Sequence, residues 1–318
     1  MIVAITGGTG FIGRRLVSYY LANGNEVRVL TRRSIQESGF PDSVRIFHGS
    51  LTNAASLSAF VDGVDVLFHC AGEIHDEIRM KEVHVEGTER LILAATGQIK
   101  RWVQLSSVGA YGRRFSSQEV TELTPLNPSG MYEITKVESD VLVEAAARDG
   151  AFESVILRPS NVYSAEMTNK SLFGLISMIR NRLFFYIGAP GASANYIHVE
   201  NVVAALVLCG EHPDAKGNIY NVSDYRTLEQ VVSIVAGVFD VKEPVLRMPE
   251  YVVRILVKLF DRIPRFPLTQ ARVDALTGRA VYSIKKIANE LQYRHVISME
   301  NGLIEMANYL KIKSKLSN

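Results

Sequence analysis

The stretch TGGTGFIG at residues 6–13 constrains the fold more than any other part of the chain. It follows a short β-branched run at 2–6 and precedes residues 11–22, whose apolar spacing predicts an amphipathic helix. A strand that enters a helix through a glycine-rich turn brings bare backbone N–H groups and the positive end of the helix to one point. Glycines spaced three apart let a diphosphate approach closely, and Gly13 lets helix and strand pack tightly. The loop therefore predicts a dinucleotide site rather than a turn without a ligand.

The first half of the chain alternates between two hydrophobic patterns. Short β-branched runs predict strands, and the longer stretches between them have the apolar spacing of helices. This alternation predicts the α/β class, with a doubly wound parallel sheet of the Rossmann type covered on both faces. The predicted strands are 2–6, 27–31, 44–47, 64–70, 102–106 and 155–158, and the predicted helices are 11–22, 54–61, 83–96 and 132–147.

The rhythm changes after Pro159, where strands become rare and helical patterns dominate. A chain of 318 residues is long enough for one large domain or two fused ones. We expect a dinucleotide-binding domain at 1–164, to which 195–224 return. A smaller, mostly helical substrate-binding domain is expected from 165–194 together with 225–318.

The composition excludes several classes of function. A net charge of +2 gives no general attraction to nucleic acid or to an anionic membrane. No apolar stretch reaches the roughly 18 residues of a membrane-spanning helix, and the N-terminus lacks the basic region and cleavage site of a signal peptide. Cys70 and Cys209 lie in apolar runs, which favours buried free thiols in a reducing compartment. We expect a cytoplasmic protein with a small-molecule substrate, no nucleic-acid partner and no metal.

The end of the second predicted strand bears on the choice of cofactor. An NAD site usually has an acidic residue there, which binds the ribose 2′-hydroxyl. This chain has Thr31, Arg32 and Arg33 instead. Guanidinium groups favour a 2′-phosphate through charge-assisted hydrogen bonds, so we expect NADP, with Arg32 as the first contact and Arg33 or Arg14 helping. NAD stays open, because the arginines could equally be solvated loop charges.

Tyr132 and Lys136 are four residues apart in a predicted helix and therefore share one face. An ammonium near a phenol favours the phenolate, so we expect Lys136 to lower the pKa of Tyr132 from about 10. The phenol can then exchange a proton with a substrate oxygen while hydride moves at a nicotinamide. The serines of QLSSVGAYG end the preceding strand, at the edge of a parallel sheet where ligands bind.

Seven motifs occur in the order in which one protein family carries them: TGGTGFIG, DVLFHCAG, VHVEGTERL, SSVGAYG, MYEITK, LRPSNVYS and YIHVENVVAAL. With these motifs the chain resembles the extended short-chain dehydrogenases/reductases. That group includes nucleotide-sugar epimerases, dehydratases and keto-reductases, with steroid and flavonol dehydrogenase relatives. The resemblance covers nearly the whole chain and is weakest after residue 225.

The resemblance implies a role for each matching residue. Tyr132 is implied as the general acid/base, Lys136 as the partner that lowers its pKa and holds the nicotinamide ribose, and Ser107 as the donor to the reacting oxygen. Ser106 is expected to pack in the strand end, and Asn161 to contact the substrate. The expected cofactor contacts are Gly7, Gly10, Phe11, Ile12, Gly13, Arg32, Arg33, Ser50, Leu51, Cys70, Ala71, Gly72, Tyr132, Lys136 and Pro159.

Several positions depart from the family pattern. Dehydratases of the group carry two carboxylates directly after the catalytic Ser/Thr, where this chain has Val108 and Gly109. The arginine that often clamps a nucleotide-sugar diphosphate is Ala194 here, although Lys170, Arg180 or Arg182 could supply charge. The asparagine of the family's helix motif is His84, which we expect to be satisfied by backbone or solvent rather than to relay protons. Ser50 stands where an aspartate commonly binds adenine.

These features favour an NAD(P)-dependent oxidoreductase that transfers hydride to or from a secondary alcohol or ketone. The expected substrate is a keto group on a nucleotide sugar, followed by a steroid-like or terpenoid ring. A nucleotide-sugar epimerase that recycles NAD is the alternative, and a non-catalytic NADP sensor is the hypothesis from another class.

Two surfaces suggest partners. Residues 251–265 carry Arg254, Lys258 and Arg262 at four-residue spacing among apolar residues. Such a helix could contact a membrane peripherally, or it could be an ordinary helix with a solvated basic edge. We also expect a homodimer, formed as in related proteins through the helices at 83–98 and 131–148.

Overall fold

A computed structural model describes residues 1–53, 56–112, 119–167, 171–260 and 268–316. A parallel sheet of seven strands lies at its centre, and the described residues also form thirteen α-helices and seven further strands. The strands are β1 Ile2–Thr6, β2 Glu26–Thr31, β3 Val44–His48, β4 Val64–His69, β5 Ile99–Leu105, β6 Glu119–Val120, β7 Glu153–Pro159, β8 Asn161–Tyr163, β9 Tyr186–Ile187, β10 Ser193–His198, β11 Ile219–Val222, β12 Asp224–Thr227, β13 Arg247–Met248 and β14 Val281–Tyr282.

The helices connect these strands and build the second half of the chain. A π-helical turn, Glu82–Glu86, runs directly into α5, and short 3₁₀ turns occupy Val108–Tyr111 and Pro213–Ala215. The helices are α1 Phe11–Ala22, α2 Ile35–Ser38, α3 Leu57–Val61, α4 Glu77–Lys81, α5 Gly87–Ala95, α6 Met131–Arg148, α7 Ser171–Arg180, α8 Val199–Glu211, α9 Leu228–Phe239, α10 Glu250–Phe260, α11 Gln270–Thr277, α12 Lys285–Glu290 and α13 Met299–Leu316.

The central sheet has the strand order β11-β7-β5-β4-β1-β2-β3, and every neighbouring pair is parallel. The order reverses between β1 and β4, because successive strands are added first on one side of β1 and then on the other. In open parallel sheets, ligands bind at the carboxyl ends of the strands at such a switch point. The predicted doubly wound α/β fold is confirmed.

The alternation of side chains along β1 explains why both faces of the sheet are covered. Val3 and Ile5 point to one face and pack with α1 and α8, whereas Ala4 points to the other face. On that second face the core is completed by α3, α5 and α6, through residues such as Leu91 and Val143. The result is a three-layer arrangement with two apolar cores.

A separate core forms around α7, α9, α13 and β10, in the second half of the chain. Strands β8, β10 and β12 make a three-stranded sheet beside it. The division of the chain into a dinucleotide-binding and a substrate-binding domain remains a prediction. Residues of the C-terminal segment also join the first core, where Ile287, Leu291 and Tyr293 pack with α8 and β11.

Candidate active site

The glycine loop between β1 and α1 is held by backbone packing. Gly7 has φ +68°, a left-handed conformation that favours glycine, and a Cβ there would lie 2.6 Å from the carbonyl oxygen of Cys70. A Cβ on Gly13 would lie 2.3 Å from the carbonyl oxygen of Gly7. The loop therefore contacts both the turn after β4 and the first turn of α1, and no larger residue fits at these two positions.

The amino end of α1 fits an anionic ligand. Gly10 is the N-cap and provides no side-chain acceptor, and the first turn contains no acidic residue. The N–H groups at the start of the helix, which begins with Phe11 and Ile12, therefore have no capping side chain. Together with the helix dipole they suit the diphosphate of a dinucleotide.

The arginines predicted to favour NADP over NAD follow β2, next to this loop. Arg32 and Arg33 are both exposed, and the Arg32 carbonyl is hydrogen-bonded to Nε2 of His48 at 3.1 Å. Arg14 donates to the Ser38 carbonyl at 2.7 Å and its guanidinium lies 4.7 Å from the ring centre of Phe40. Arg14 is thus held by α2 and its flank, while the two strand-end guanidinium groups face solvent.

The remaining predicted cofactor contacts lie on neighbouring turns. Ser50 is half-buried and its hydroxyl lies 2.6 Å from that of Thr52, whereas Leu51 is buried in the second-face core. Cys70, Ala71 and Gly72 form the turn after β4, directly against the glycine loop.

Tyr132 and Lys136 lie in the first two turns of α6. Lys136 is buried with 4% of its surface exposed, and Tyr132 is half-buried. The ring of Tyr132 meets the ring of His84 edge to face, with centroids 5.6 Å apart. Lys136 lies close enough to Cys70 to lower the pKa of that thiol against the effect of burial. The structure thus brings the two α6 residues to the turn after β4.

The expected lowering of the Tyr132 pKa is wrong for the chain by itself. Burial raises the pKa of the phenol to about 12, and the carboxylates of Glu133 and Asp140 raise it further. The pKa of Lys136 is itself lowered by burial, while Asp140 opposes that change. The pattern of residues shows which groups are neighbours, but the free-energy cost of removing the phenolate from water decides the direction in which the pKa of Tyr132 shifts.

The two serines after β5 have different surroundings. Ser107 is half-buried and accepts a hydrogen bond from the Gly109 N–H at 3.1 Å. The 3₁₀ turn that follows packs on α6, because a Cβ on Gly109 would lie 2.9 Å from Cγ of Glu133. Ser106 is buried and donates to Oδ2 of Asp140 at 2.6 Å. Ser106 therefore packs in the strand end, and Ser107 lies on the side of the turn nearest the start of α6.

His84 is satisfied inside the protein. Its Nε2 accepts from the Glu73 N–H at 2.9 Å, and its Nδ1 lies 2.8 Å from Oγ1 of Thr135, which donates to the Met131 carbonyl. These partners require the proton on Nδ1. Burial and the charge of Lys136 lower the pKa of His84 to about 3, so the ring is neutral at ordinary pH. That His84 does not relay protons stays a prediction.

A second buried histidine was not singled out from the sequence. His69 accepts from the Thr6 hydroxyl at 2.7 Å, and its Nε2 donates to Oγ1 of Thr88 at 3.1 Å, since Thr88 itself donates to the His84 carbonyl. Ser139 on α6 is bonded to the same threonine oxygen at 3.0 Å. This network ties β1, β4, the π-helical turn and α6 together beneath the candidate site.

The model of one protein family matches residues 3–223, in the description "NAD dependent epimerase/dehydratase family". That match covers more than two thirds of the chain and includes the glycine loop, α6 and β10. The chain belongs to the NAD dependent epimerase/dehydratase family. The resemblance inferred from the seven motifs is thereby confirmed.

Two of the curated proteins to which the chain is similar have the names of oxidoreductases. One is a 4-hydroxy-2-methyl-3-oxo-4-farnesyl-3,4-dihydroquinoline-1-oxide ketoreductase of Stigmatella aurantiaca, 29% identical over 94% of this chain and 93% of the relative. Another is a dTDP-6-deoxy-L-talose 4-dehydrogenase (NAD(P)(+)) of Kitasatospora kifunensis, 35% identical over 55% of this chain and 57% of that protein.

A solved structure supports the same fold. A short-chain dehydrogenase/reductase superfamily protein from Agrobacterium tumefaciens, crystallised with bound NAD, superposes with a TM-score of 0.78 over 100% of this chain and 99% of its own. The two sequences are 23% identical, so this likeness establishes the fold.

Two more predicted contacts are Pro159, on the cofactor side, and Asn161, on the substrate side. Pro159 is the buried last residue of β7, and Asn161 is exposed on β8 opposite Tyr196 of β10. Ala194, at the position of the family's diphosphate clamp, is buried. Arg180 lies over the ring of Phe239 at 5.7 Å. Lys170 lies outside the described residues.

Helix α10 covers most of the segment considered for membrane contact. Val253 and Val257 are buried, whereas Tyr251, Ile255 and Leu259 are exposed. Arg254 is paired with the carboxylates of Glu250 and Asp274 at 2.8 Å each. It is therefore not one of the solvated charges that were considered for the basic edge of this helix. Arg262 and the rest of 261–267 lie outside the described residues. Peripheral membrane contact stays a prediction, and the described helices include none that is long and apolar enough to span a bilayer.

The helices expected at a dimer interface expose apolar side chains. Leu93 on α5 is 77% exposed and Val141 on α6 is 51% exposed. The homodimer stays a prediction.

Proposed function

We propose that this protein is an NAD(P)-dependent oxidoreductase that interconverts a secondary alcohol and a ketone. The observation that carries the proposal is the pairing of Tyr132 with the buried Lys136 on one face of α6, beside the turn that ends in Gly72. A proton donor and a buried cation next to a dinucleotide cradle are the groups that this reaction requires.

The chain contributes binding and proton transfer. The loop from Gly7 to Gly13 would hold the diphosphate, and the turn from Cys70 to Gly72 would support the nicotinamide half together with Pro159. Bound NAD(P) supplies or accepts the hydride. Ser107 would donate a hydrogen bond to the substrate oxygen, and Lys136, one helical turn after Tyr132, would bind the nicotinamide ribose.

The protonation state of Tyr132 favours reduction. With a pKa of about 12, the phenol is protonated at neutral pH and is ready to donate. An alkoxide is more basic than a phenolate, so the proton moves readily from Tyr132 to the oxygen that develops negative charge when the carbonyl carbon is reduced. In the reverse direction the phenol must first lose its proton, which burial and the charges of Glu133 and Asp140 oppose.

NADP is the proposed cofactor. Arg32 and Arg33 are exposed directly after β2, in the position from which a side chain reaches the adenosine ribose. Their guanidinium groups match a 2′-phosphate, whereas the 2′-hydroxyl of NAD would gain no acidic partner there.

A reductase is favoured over the other activities of the family. The positions where dehydratases carry two carboxylates are Val108, which is buried, and Gly109, which has no side chain. An epimerase recycles a tightly held cofactor and commonly uses NAD, which fits less well with Arg32 and Arg33. A non-catalytic NADP sensor would not need Tyr132, Lys136 and Ser107 together.

Two substrate classes compete. A keto group on a nucleotide sugar was expected from the sequence, and the talose 4-dehydrogenase relative supports it. The position of the family's diphosphate clamp is a buried alanine, Ala194, and Arg180 lies over the ring of Phe239, which leaves the exposed Arg182, among the described residues, to bind the diphosphate of such a substrate. The ketoreductase of a farnesylated quinoline oxide matches nearly the full chain. We therefore propose a lipophilic cyclic ketone as the first class to assay and a nucleotide-sugar ketone as the second.

The test is turnover of both classes with the purified protein. The protein is incubated with NADPH or NADH and with steroid, prenylated and dTDP- or UDP-linked ketones. We expect net oxidation of NADPH in proportion to alcohol formed, and a lower kcat/KM with NADH. Isomerisation of a nucleotide sugar without net oxidation of cofactor would establish the epimerase instead. Tight NADPH binding with no turnover across the panel would favour the sensor.

A further inference from the structure

Asp140 continues the face of α6 that carries Tyr132 and Lys136. It comes one helical turn after Lys136 and two turns after Tyr132, at positions i, i+4 and i+8. Only 1% of its surface is exposed. Its Oδ2 accepts from the Ser106 hydroxyl at 2.6 Å and from Nη2 of Arg158 at 3.2 Å. The carboxylate is thus fixed from two strands, at the end of β5 and within β7.

The partner of this carboxylate is equally buried. Arg158 is 2% exposed, donates through Nη1 to the hydroxyl of Tyr111 at 3.3 Å, and lies 5.3 Å from the centre of that ring. The Tyr111 hydroxyl donates in turn to Oδ1 of Asn221 at 2.9 Å. The guanidinium is therefore oriented by groups on the far side from α6.

The ion pair between Asp140 and Arg158 is incomplete. Oδ1 of Asp140 and Nε of Arg158 are both buried and have no hydrogen-bond partner among the described residues. A pair that served only to stabilise the fold would gain most from a bidentate arrangement. One carboxylate oxygen instead remains free on the helix that carries Lys136.

Within the described part of the chain, the other titratable groups that interact with Lys136 carry no charge that could stabilise its ammonium. Burial holds the pKa of His69 and of His84 well below the usual range, so both rings are neutral. Burial raises the pKa of the Cys70 thiol to about 12, so it is neutral as well. Burial also lowers the pKa of Lys136, and Asp140 is the group that opposes this most strongly. Burial raises the pKa of Asp140 itself, and the charge of its ion-pair partner is the largest effect that opposes this rise.

We propose that Asp140 is a positioning residue for the reaction proposed above: its carboxylate, fixed by Ser106 and Arg158, keeps the buried ammonium of Lys136 charged, one helical turn after Tyr132. The inference rests on the proposed function for its catalytic consequence, whereas the charge state of Lys136 can be measured without it. The same carboxylate disfavours ionisation of its α6 neighbours Tyr132 and Glu144, whose pKa values it raises. Asp140 therefore holds the proton on the phenol and the charge on the lysine together.

The test removes the ion pair as a unit. The double variant Asp140→Asn/Arg158→Gln removes both charges of the pair together, so neither partner is left buried without the other, which favours folding. In ¹³C-lysine-labelled protein, with the Lys136 signal assigned by its loss in Lys136→Arg, we expect the pKa of Lys136 to fall by at least about one unit, the smaller end of the effect of an opposite charge at close range. The alkaline limb of the pH–kcat profile should shift to lower pH by the same number of units.

A matched control separates this effect from a loss of stability. Arg101 and Glu153 form an ion pair at 2.9 Å toward the opposite end of the same sheet, where the strands begin. Arg101→Gln/Glu153→Gln should lower the thermal midpoint and leave the pKa of Lys136 within about 0.3 units of wild type. Asp140→Glu, which keeps the charge, should restore most of the wild-type pH profile.

The proposal is overturned if Lys136 in the folded double variant titrates as it does in wild type, or if wild-type Lys136 is already neutral at pH 8. Should the double variant not fold, Asp140→Asn alone gives the same readout with the same expected direction. Absence of NAD(P)-linked turnover in wild type would contradict the proposed function while the lysine titration still decides the role of Asp140.

Discussion

The two sides of the candidate site are stabilised by different kinds of interaction. On the cofactor side, the loop at Gly7–Gly13 is fixed by backbone atoms that approach to distances only glycine permits. On the α6 side, Tyr132 and Lys136 lie among buried polar side chains, including His84 and Asp140, whose protonation states matter. Steric contacts carry no charge, so pH distinguishes the two sides.

Because of this difference, we expect the two sides to respond differently to substitutions and to pH. A single added methyl group breaks the cofactor side at any pH, because backbone cannot move out of the way as a flexible side chain can. The α6 side tolerates shape changes better, but it depends on groups that are neutral or charged only within a limited pH range.

The largest effect is expected from Gly13→Ala. The new Cβ would lie 2.3 Å from the Gly7 carbonyl oxygen, a contact that forces the loop and α1 apart. We expect a loss of about 3 kcal/mol in the free energy of unfolding, measured by urea denaturation. The loss should be the same at pH 7 and pH 5.

Gly237→Ala is the matched control for that variant. Gly237 also lies in a helix, α9, and nothing lies within 4 Å of the Cβ it would gain. We expect stability to rise by up to about 1 kcal/mol, since alanine has the higher helix propensity. Equal effects of the two substitutions would contradict the steric account of the loop.

An effect that depends on pH is expected from His84→Asn. The folded protein holds His84 neutral down to a pKa of about 3, against 6.5 for the unfolded chain. Between these values the unfolded state binds more protons, so this contribution to stability is complete above pH 6.5 and is lost as the pH falls toward 3. For one such histidine, the loss from pH 7 to pH 4 amounts to about 3 kcal/mol.

The variant should therefore start less stable at pH 7 and decline less steeply toward pH 4. Urea denaturation at several pH values in that range measures both slopes. If the free energies of unfolding of wild type and His84→Asn fall in parallel with pH, His84 is not the group that makes stability sensitive to acid. The claim that the α6 side depends on pH would then lose its support from His84.

The cofactor side could be predicted from the sequence almost completely. The bounds of β1 and α1 agree with the prediction to the residue, because a β-branched run, a glycine turn and an amphipathic run are local signals. The strand order follows from the same alternation of strands and helices. The roles of the individual cofactor contacts remain predictions.

The α6 side could be predicted only in part. The spacing of Tyr132 and Lys136 is local, but the partners of Asp140 lie at the ends of β5 and β7, 34 and 18 residues away. The i+8 position of Asp140 on the face of Tyr132 was the available signal, and it gains meaning only once Arg158 is known to be buried. The direction of the Tyr132 pKa was wrong for the same reason, because burial cannot be read from a four-residue spacing.

The most direct test of the central claim is the turnover of Tyr132→Phe with NADPH and the best ketone from the substrate panel. The ring and its contact with His84 are kept, so the protein should fold and bind NADPH within about twofold of wild type. Loss of the phenolic proton should lower kcat by about 10²- to 10⁴-fold, the usual contribution of general acid–base catalysis. Turnover of the variant within tenfold of wild type would contradict the account.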